Sequence, residues 1–291
     1  MGAVGQVNTG GWDQRRLLVV LGGVVAAAVG LLLGLGYAVY FAFTSPATSS
    51  DQPASNGMAA TSAAATGMAT DRHPSRSPDG AARRGEIAAA PMLAVRPADG
   101  RATPPAAVAG PTITIPVATV VGPASVPAGF AHTPEGAIGQ LAAIEITVLS
   151  GMSIAAANDV YAQWALPGGV GVGGWEITQD VQAFLGAARM GAEKDPSTTV
   201  VATPVGAQVK GTDGPDWVLA CVLLHIRATV MRATIVADAA MGYGYCEPMQ
   251  WHGGRWMIAA GPPAAKAPST WPGSDLASKA GWRTWVGGEQ Q

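Results

Sequence analysis

The chain has 291 residues, a formal net charge of −2 and 12% charged residues, about half the share usual for a soluble domain. This near-neutral balance gives no reason to expect a nucleic-acid partner, since binding to phosphate backbones needs a clustered basic face. The 39 glycines and 22 prolines predict long stretches without regular structure.

Residues 1–16 read as a cytoplasmic tail and residues 17–43 as a transmembrane helix. The stretch LLVVLGGVVAAAVGLLLGLGYAVYFAF carries no charge and exceeds the roughly 20 apolar residues that a bilayer span requires. Arg15 and Arg16 precede it and no Lys or Arg follows before Arg72, an asymmetry that places the N-terminus in the cytoplasm and the remainder outside. A cleaved signal peptide is the alternative, although its apolar core would be about 7–15 residues. Within the span, Gly30 and Gly34 form a G-x-x-x-G pair that suits helix–helix packing or simply a glycine-rich anchor.

Residues 44–131 are rich in Ala, Pro, Ser and Thr, lack a sustained period and have few aromatics, so they read as a disordered spacer. They include the longest basic cluster, Arg72, Arg76, Arg83 and Arg84. TITIPVATVV, residues 112–121, alternates β-branched positions and would suit a strand at a sheet edge, where its prolines are tolerated.

An extracytoplasmic α+β domain is expected over residues 132–262. Thr133, Pro134 and Glu135 make a helix start, with Gly151 at its end. Two more helices are expected over 153–166 and 175–190, separated by PGGVGVGG. Strands follow over 198–210, 217–228, 230–250 and 255–260. WVLACVLLHI is apolar on both faces, as a central strand covered on each side would be. About three helices packed on a curved antiparallel sheet are therefore expected. In MQWHGGRWMI the Gly253-Gly254 pair suits a tight hairpin turn, which sets His252 against Arg255 and Trp251 against Trp256. A Trp–Trp pair and solvated flanks account for that motif without catalysis.

Cys221 and Cys246 would lie on neighbouring strands, and either a disulfide or two buried thiols fits the pattern. Zinc held by Cys221, His225 and Cys246 would lack a fourth ligand and the usual spacing, so no metal or cofactor is expected. A pocket reading draws on His225, Asp238 and Tyr243, Asp238 because its sequence neighbours are apolar. The opposing reading puts Asp238 on the solvent face. Residues 263–291 form a tryptophan-containing C-terminal tail with Ser274 or Asp275 as a helix cap and Gly281 as its end. Trp251, Trp256, Trp271, Trp282 and Trp285 are candidate partner contacts; covering the domain's own core is the plainer role for the tail tryptophans.

One membrane helix, a spacer, then helices followed by an antiparallel sheet resembles the bitopic scaffold proteins of type IV secretion and conjugation machines. The outer domains of that family have the cone-shaped fold of nuclear transport factor 2, also called cystatin-like. TPEGAIGQLAAIE, GYGYCEPMQWHGGRWMIAAG and PSTWPGSDLASKAGWRTW also resemble stretches of membrane proteins encoded by actinobacterial conjugative elements. The resemblance spans roughly residues 133–285. It implies an assembly component rather than an enzyme, no catalytic residues, and as partners other membrane components of the apparatus, a second copy of the chain, and the bilayer through residues 17–43. A wall- or ligand-binding module, or a hydratase or isomerase using the cone pocket, are the other readings. No GxxxxGK[ST] is present, which excludes the role of motor.

Overall fold

The computed structural model describes residues 80–232 and 235–288. The expected anchor at 17–43, with Gly30 and Gly34, lies outside those residues. Among the described residues no helix is long and apolar enough to cross a membrane. The described residues are α+β, with five α-helices and a curled, antiparallel-rich sheet.

Three long strands form the body of that sheet. β5 (Trp217–Arg232) pairs on one side with β4 (Thr198–Thr212) and on the other with β6 (Ile235–His252). β7 (Arg255–Ile258) continues from β6, and β8 (Arg283–Gly287) and β1 (Thr112–Ile115) extend the opposite edge. The strand order is β1-β8-β4-β5-β6-β7, antiparallel throughout except for the parallel pair of β1 with β8. Register shifts in β4 at Pro204/Gly206 and Val209/Gly211 are β-bulges, which bend a strand and increase its twist. β2 (Val120–Val121) and β3 (Pro127–Ala128) make a separate two-stranded ribbon.

Three helices cover one face. In α2 (Pro134–Gly151) the Thr133 hydroxyl accepts from the Gly136 N–H at 3.1 Å, and the helix ends at Met152 in a left-handed conformation, one residue beyond the glycine expected to stop it. Ser153 caps α3 (Ile154–Trp164) in the same way. α4 (Glu176–Ala187) follows the glycine-rich segment. Ile138, Leu141, Ile144, Trp164, Phe184 and Trp256 are among the side chains buried between this layer and the sheet. Because residues alternate along β5, Ala220, Val222 and Leu224 face the helices while Leu219, Cys221 and Leu223 face the other way.

That second face is covered by residues outside the expected domain limits of 132–262. The spacer assigned to 44–131 is folded onto the domain from Gly80. α1 (Gly80–Ala89) packs by β4: Arg84 donates to Asp213 at 2.6 Å and the Lys210 ammonium donates to the Ala88 carbonyl at 3.0 Å. Residues 91–111 run on without strand or α-helix, with one 3-10 turn at Pro97–Gly100, and Met92 touches the sulfur of Cys246. The tail at 263–291 is likewise part of the core: α5 (Asp275–Lys279), capped by Ser274, packs with Trp282 over Leu219 and Leu223. The spacer composition hides this because these segments do not bury one another; they bury the apolar second face of β5. β1 takes the edge position that the prolines around it require, with Ile113 and Ile115 turned inward.

The hairpin has the expected geometry. Trp251 pairs with Trp256 and His252 with Arg255, with Gly253 and Gly254 at φ of 58° and 81°. Both values fall in the region that glycine enters without steric cost.

Candidate functional site

The chemistry-bearing residues that converge in the folded chain lie between the helix layer and β6. On β6 the alternation Tyr243-Gly-Tyr245-Cys-Glu247 turns both tyrosines and the glutamate toward the helices. α4 supplies Asp180, which accepts from the Tyr243 hydroxyl at 2.7 Å, and one turn earlier Glu176. Glu247 accepts from the Tyr245 hydroxyl and, at 3.1 Å, from the indole N–H of Trp175 at the start of α4. The two tyrosine rings lie nearly parallel, 9° apart. α2 adds Glu145, fully buried, with neither carboxyl oxygen hydrogen-bonded.

This environment disfavours charge. Burial, and then the nearby Glu247, hold the Glu145 carboxyl well above its ordinary pKa. Burial and the neighbouring Glu176 do the same for Asp180, against the pull of the Tyr243 hydrogen bond and of Lys266. Burial raises Glu247 to about 7, its hydrogen bonds from Tyr245 and Trp175 opposing the rise. Both buried tyrosines are pushed well above the usual phenol value, again by burial first. A carboxyl in such a place is far cheaper to hold neutral than charged. Beside Glu247 is a recess of about 40 Å³, lined by Tyr161, Trp175, Glu176, Tyr245 and the glycine-rich segment around Gly169 and Gly174. That is room for a few waters, each needing roughly 10–15 Å³.

The three residues expected to line a pocket do not meet. Tyr243 is in the buried cluster. His225, one strand over, sits opposite Gly242 on the other face, its ring edge-on to Trp271 at 5.1 Å, where burial lowers its pKa. Asp238 is exposed and accepts from the Thr229 hydroxyl at 2.5 Å. Strand parity decides the matter: Asp238 and Tyr243 are an odd number of residues apart on β6 and so point to opposite faces. Apolar sequence neighbours were a poor guide, because Asp238 lies beyond the stretch of sheet that the tail covers.

Cys221 and Cys246 are directly paired in register and joined by a disulfide. Their sulfurs are therefore spent, which removes the zinc reading with His225, and among the described residues no group of three or more His, Cys, Asp or Glu is placed to hold a metal. The tryptophans divide. Trp256 is buried, its indole donating to the Ala131 carbonyl at 2.9 Å, and Trp282 is buried, donating to Pro268 at 3.0 Å. These two are packed within the fold. Trp251, Trp271 and Trp285 are half-buried, Trp251 under a stacked His132 at 4.2 Å that also reaches Asp216 at 2.8 Å.

Sequence reasoning passed over Glu145, Asp180 and Glu247. One signal for the last was present: tyrosine, tyrosine and glutamate at period two on a strand whose other parity is glycine and cysteine. For Glu145 the signal was a lone acid inside the apolar run LAAIEITVL.

No family model, no curated protein and no solved structure matches this chain.

Proposed function

We propose that the chain is a membrane-tethered structural component of a conjugative or secretion apparatus that works through protein–protein contacts. In this reading residues 17–43 anchor it with the N-terminus in the cytoplasm. The folded region is the extracytoplasmic part, a cone-shaped domain of the nuclear-transport-factor-2 type. The observation that carries the contact role is the bare end of the sheet. Val201 on β4, Met231 on β5 and Val236 on β6 are 50%, 53% and 55% exposed on the face that the tail covers farther along. Arg227 lies opposite Val201, and the Thr229–Asp238 pair lies between it and the Met231–Val236 pair. On the reverse of the same segment Val200, Ala202, Ile226 and Val230 are buried. Apolar side chains left in water on three neighbouring strands favour a partner surface. The recess at the acid cluster, sized for water, adds support, since a substrate needs several hundred Å³.

The test is transfer by the host carrying a Val201→Glu, Met231→Glu chain. A drop of tenfold or more, about 1.4 kcal/mol of lost contact, is expected with protein level and melting unchanged. Unaltered transfer by that variant, or by a strain lacking the chain, contradicts the proposal.

A further inference from the structure

The buried acids and tyrosines join three elements at one interface: Glu145 from α2, Glu176 and Asp180 from α4, and Tyr243, Tyr245 and Glu247 from β6. α3 adds Tyr161 at the recess and the tail adds Lys266, which is exposed and attracts Glu176 and Asp180. β5 turns Ala220, Val222 and Leu224 toward the cluster, and β4 and β7 turn Val200, Ala202, Trp256 and Ile258 to that face, while Arg255 of β7, paired with His252 beyond the cluster, lies over the Trp164 ring and donates to the Gln163 carbonyl. Four carboxyls thus face one exposed cation.

Glu145 is the second and separate observation. It is fully buried and both its oxygens lack a hydrogen-bond partner, so the folded chain offers its carboxylate nothing. α4 docks by Ile177, Val181, Phe184 and Leu185, and its hydrogen bonds to the sheet run through these groups, from Tyr243 to Asp180 and from Trp175 to Glu247. It is entered from residues 167–174, where Gly168 and Gly171 have φ of 92° and 77° and five of eight residues are glycine. The sheet has its own restraints, the Cys221–Cys246 disulfide and the tail packed on the far face.

We propose that this cluster is a proton-binding clasp: with its carboxyls protonated it holds α4 against α2 and β6, and release of those protons to water frees α4 and segment 167–174 while the sheet stays folded. The recess beside Glu247 gives the protons a route to solvent. Local opening of one peripheral element without global unfolding is a common mode of native-state motion.

Hydrogen exchange of the full-length chain between pH 5 and pH 8 tests this, with rates corrected for intrinsic base catalysis. Protection of α4 amides is expected to fall relative to β5 amides by up to about tenfold per pH unit for each proton released. A Glu145→Gln, Glu247→Gln variant is expected to show a clearly weaker pH dependence, with Asp180 and Glu176 left to titrate, because glutamine keeps the shape and an acceptor oxygen for Tyr245 and Trp175. A constant ratio of α4 to β5 protection in the unaltered chain overturns the proposal. An equal loss in β5, or a pH effect undiminished in the variant, does so as well. Should the double variant fail to fold, the unaltered chain settles the first two outcomes and Glu247→Gln alone supplies the third.

Discussion

On the face that carries Val222 and Leu224 the sheet is covered by three helices; on the face that carries Cys221 and Leu223, one residue away on the same strand, it is covered largely by extended chain. Helices bring their backbone hydrogen bonds with them, so the first layer contacts the sheet through side chains alone and has room to bury acids and tyrosines. Extended chain must satisfy its backbone groups where it lies. The second layer does so piecemeal: Ala265 donates to Ala88, Trp271 to Asp99, Ala106 to Gly273, and the Ser269 hydroxyl accepts from the Gly244 N–H. It can come that close because β6 alternates. Its tyrosines face the helices, while Gly242 and Gly244 face the tail, where a Cβ would run into the Thr270 and Pro268 carbonyls. The motif GYGY thus serves both covers at once.

The largest expected effect on this comparison comes from the tail face. Replacing Cys221 and Cys246 together by Ala, which opens a loop of separation 25, should cost about 3 kcal/mol in urea unfolding and loosen the tail before the helices. Gly242→Ala should cost about 1–3 kcal/mol by pushing the Thr270 segment away, read as faster proteolysis at residues 263–282 with the helix layer protected. Equal loss on both faces would mean that the two covers are not independent. Asp238→Asn should change stability by less than about 0.5 kcal/mol, since the carboxylate is in water with one hydroxyl donor.

The helix cover and the central strands were legible because each has a local rule. Thr133 and Ser153 are caps, Gly253-Gly254 is a turn, and β5 has the doubly apolar pattern of a covered strand. In the second cover only the short α5 has such a rule, its Ser274 cap. Residues 91–111 carry neither period nor dense hydrophobicity, and what orders them is the surface of a strand more than a hundred residues later. The acid cluster was hidden for the same reason. Glu145, Asp180 and Glu247 are isolated acids on three elements, and only their packing makes them one group. Tyr243 was picked out, but beside His225 and Asp238, which strand parity turns the other way.

Protons bound on folding test the central claim, that the helix side stores neutral carboxyls. The folded values of Glu145, Asp180 and Glu247 are raised, so the folded chain binds more protons than the unfolded one. The stability is then fullest below the unfolded carboxyl values and is lost as pH rises toward the folded ones. For Glu247, raised from 4.5 to about 7, the loss is about 3 kcal/mol and nearly complete by roughly pH 8. Urea unfolding of the chain at pH 5 and at pH 8 should therefore show the higher midpoint at pH 5. A midpoint that is unchanged, or higher at pH 8, would contradict the account.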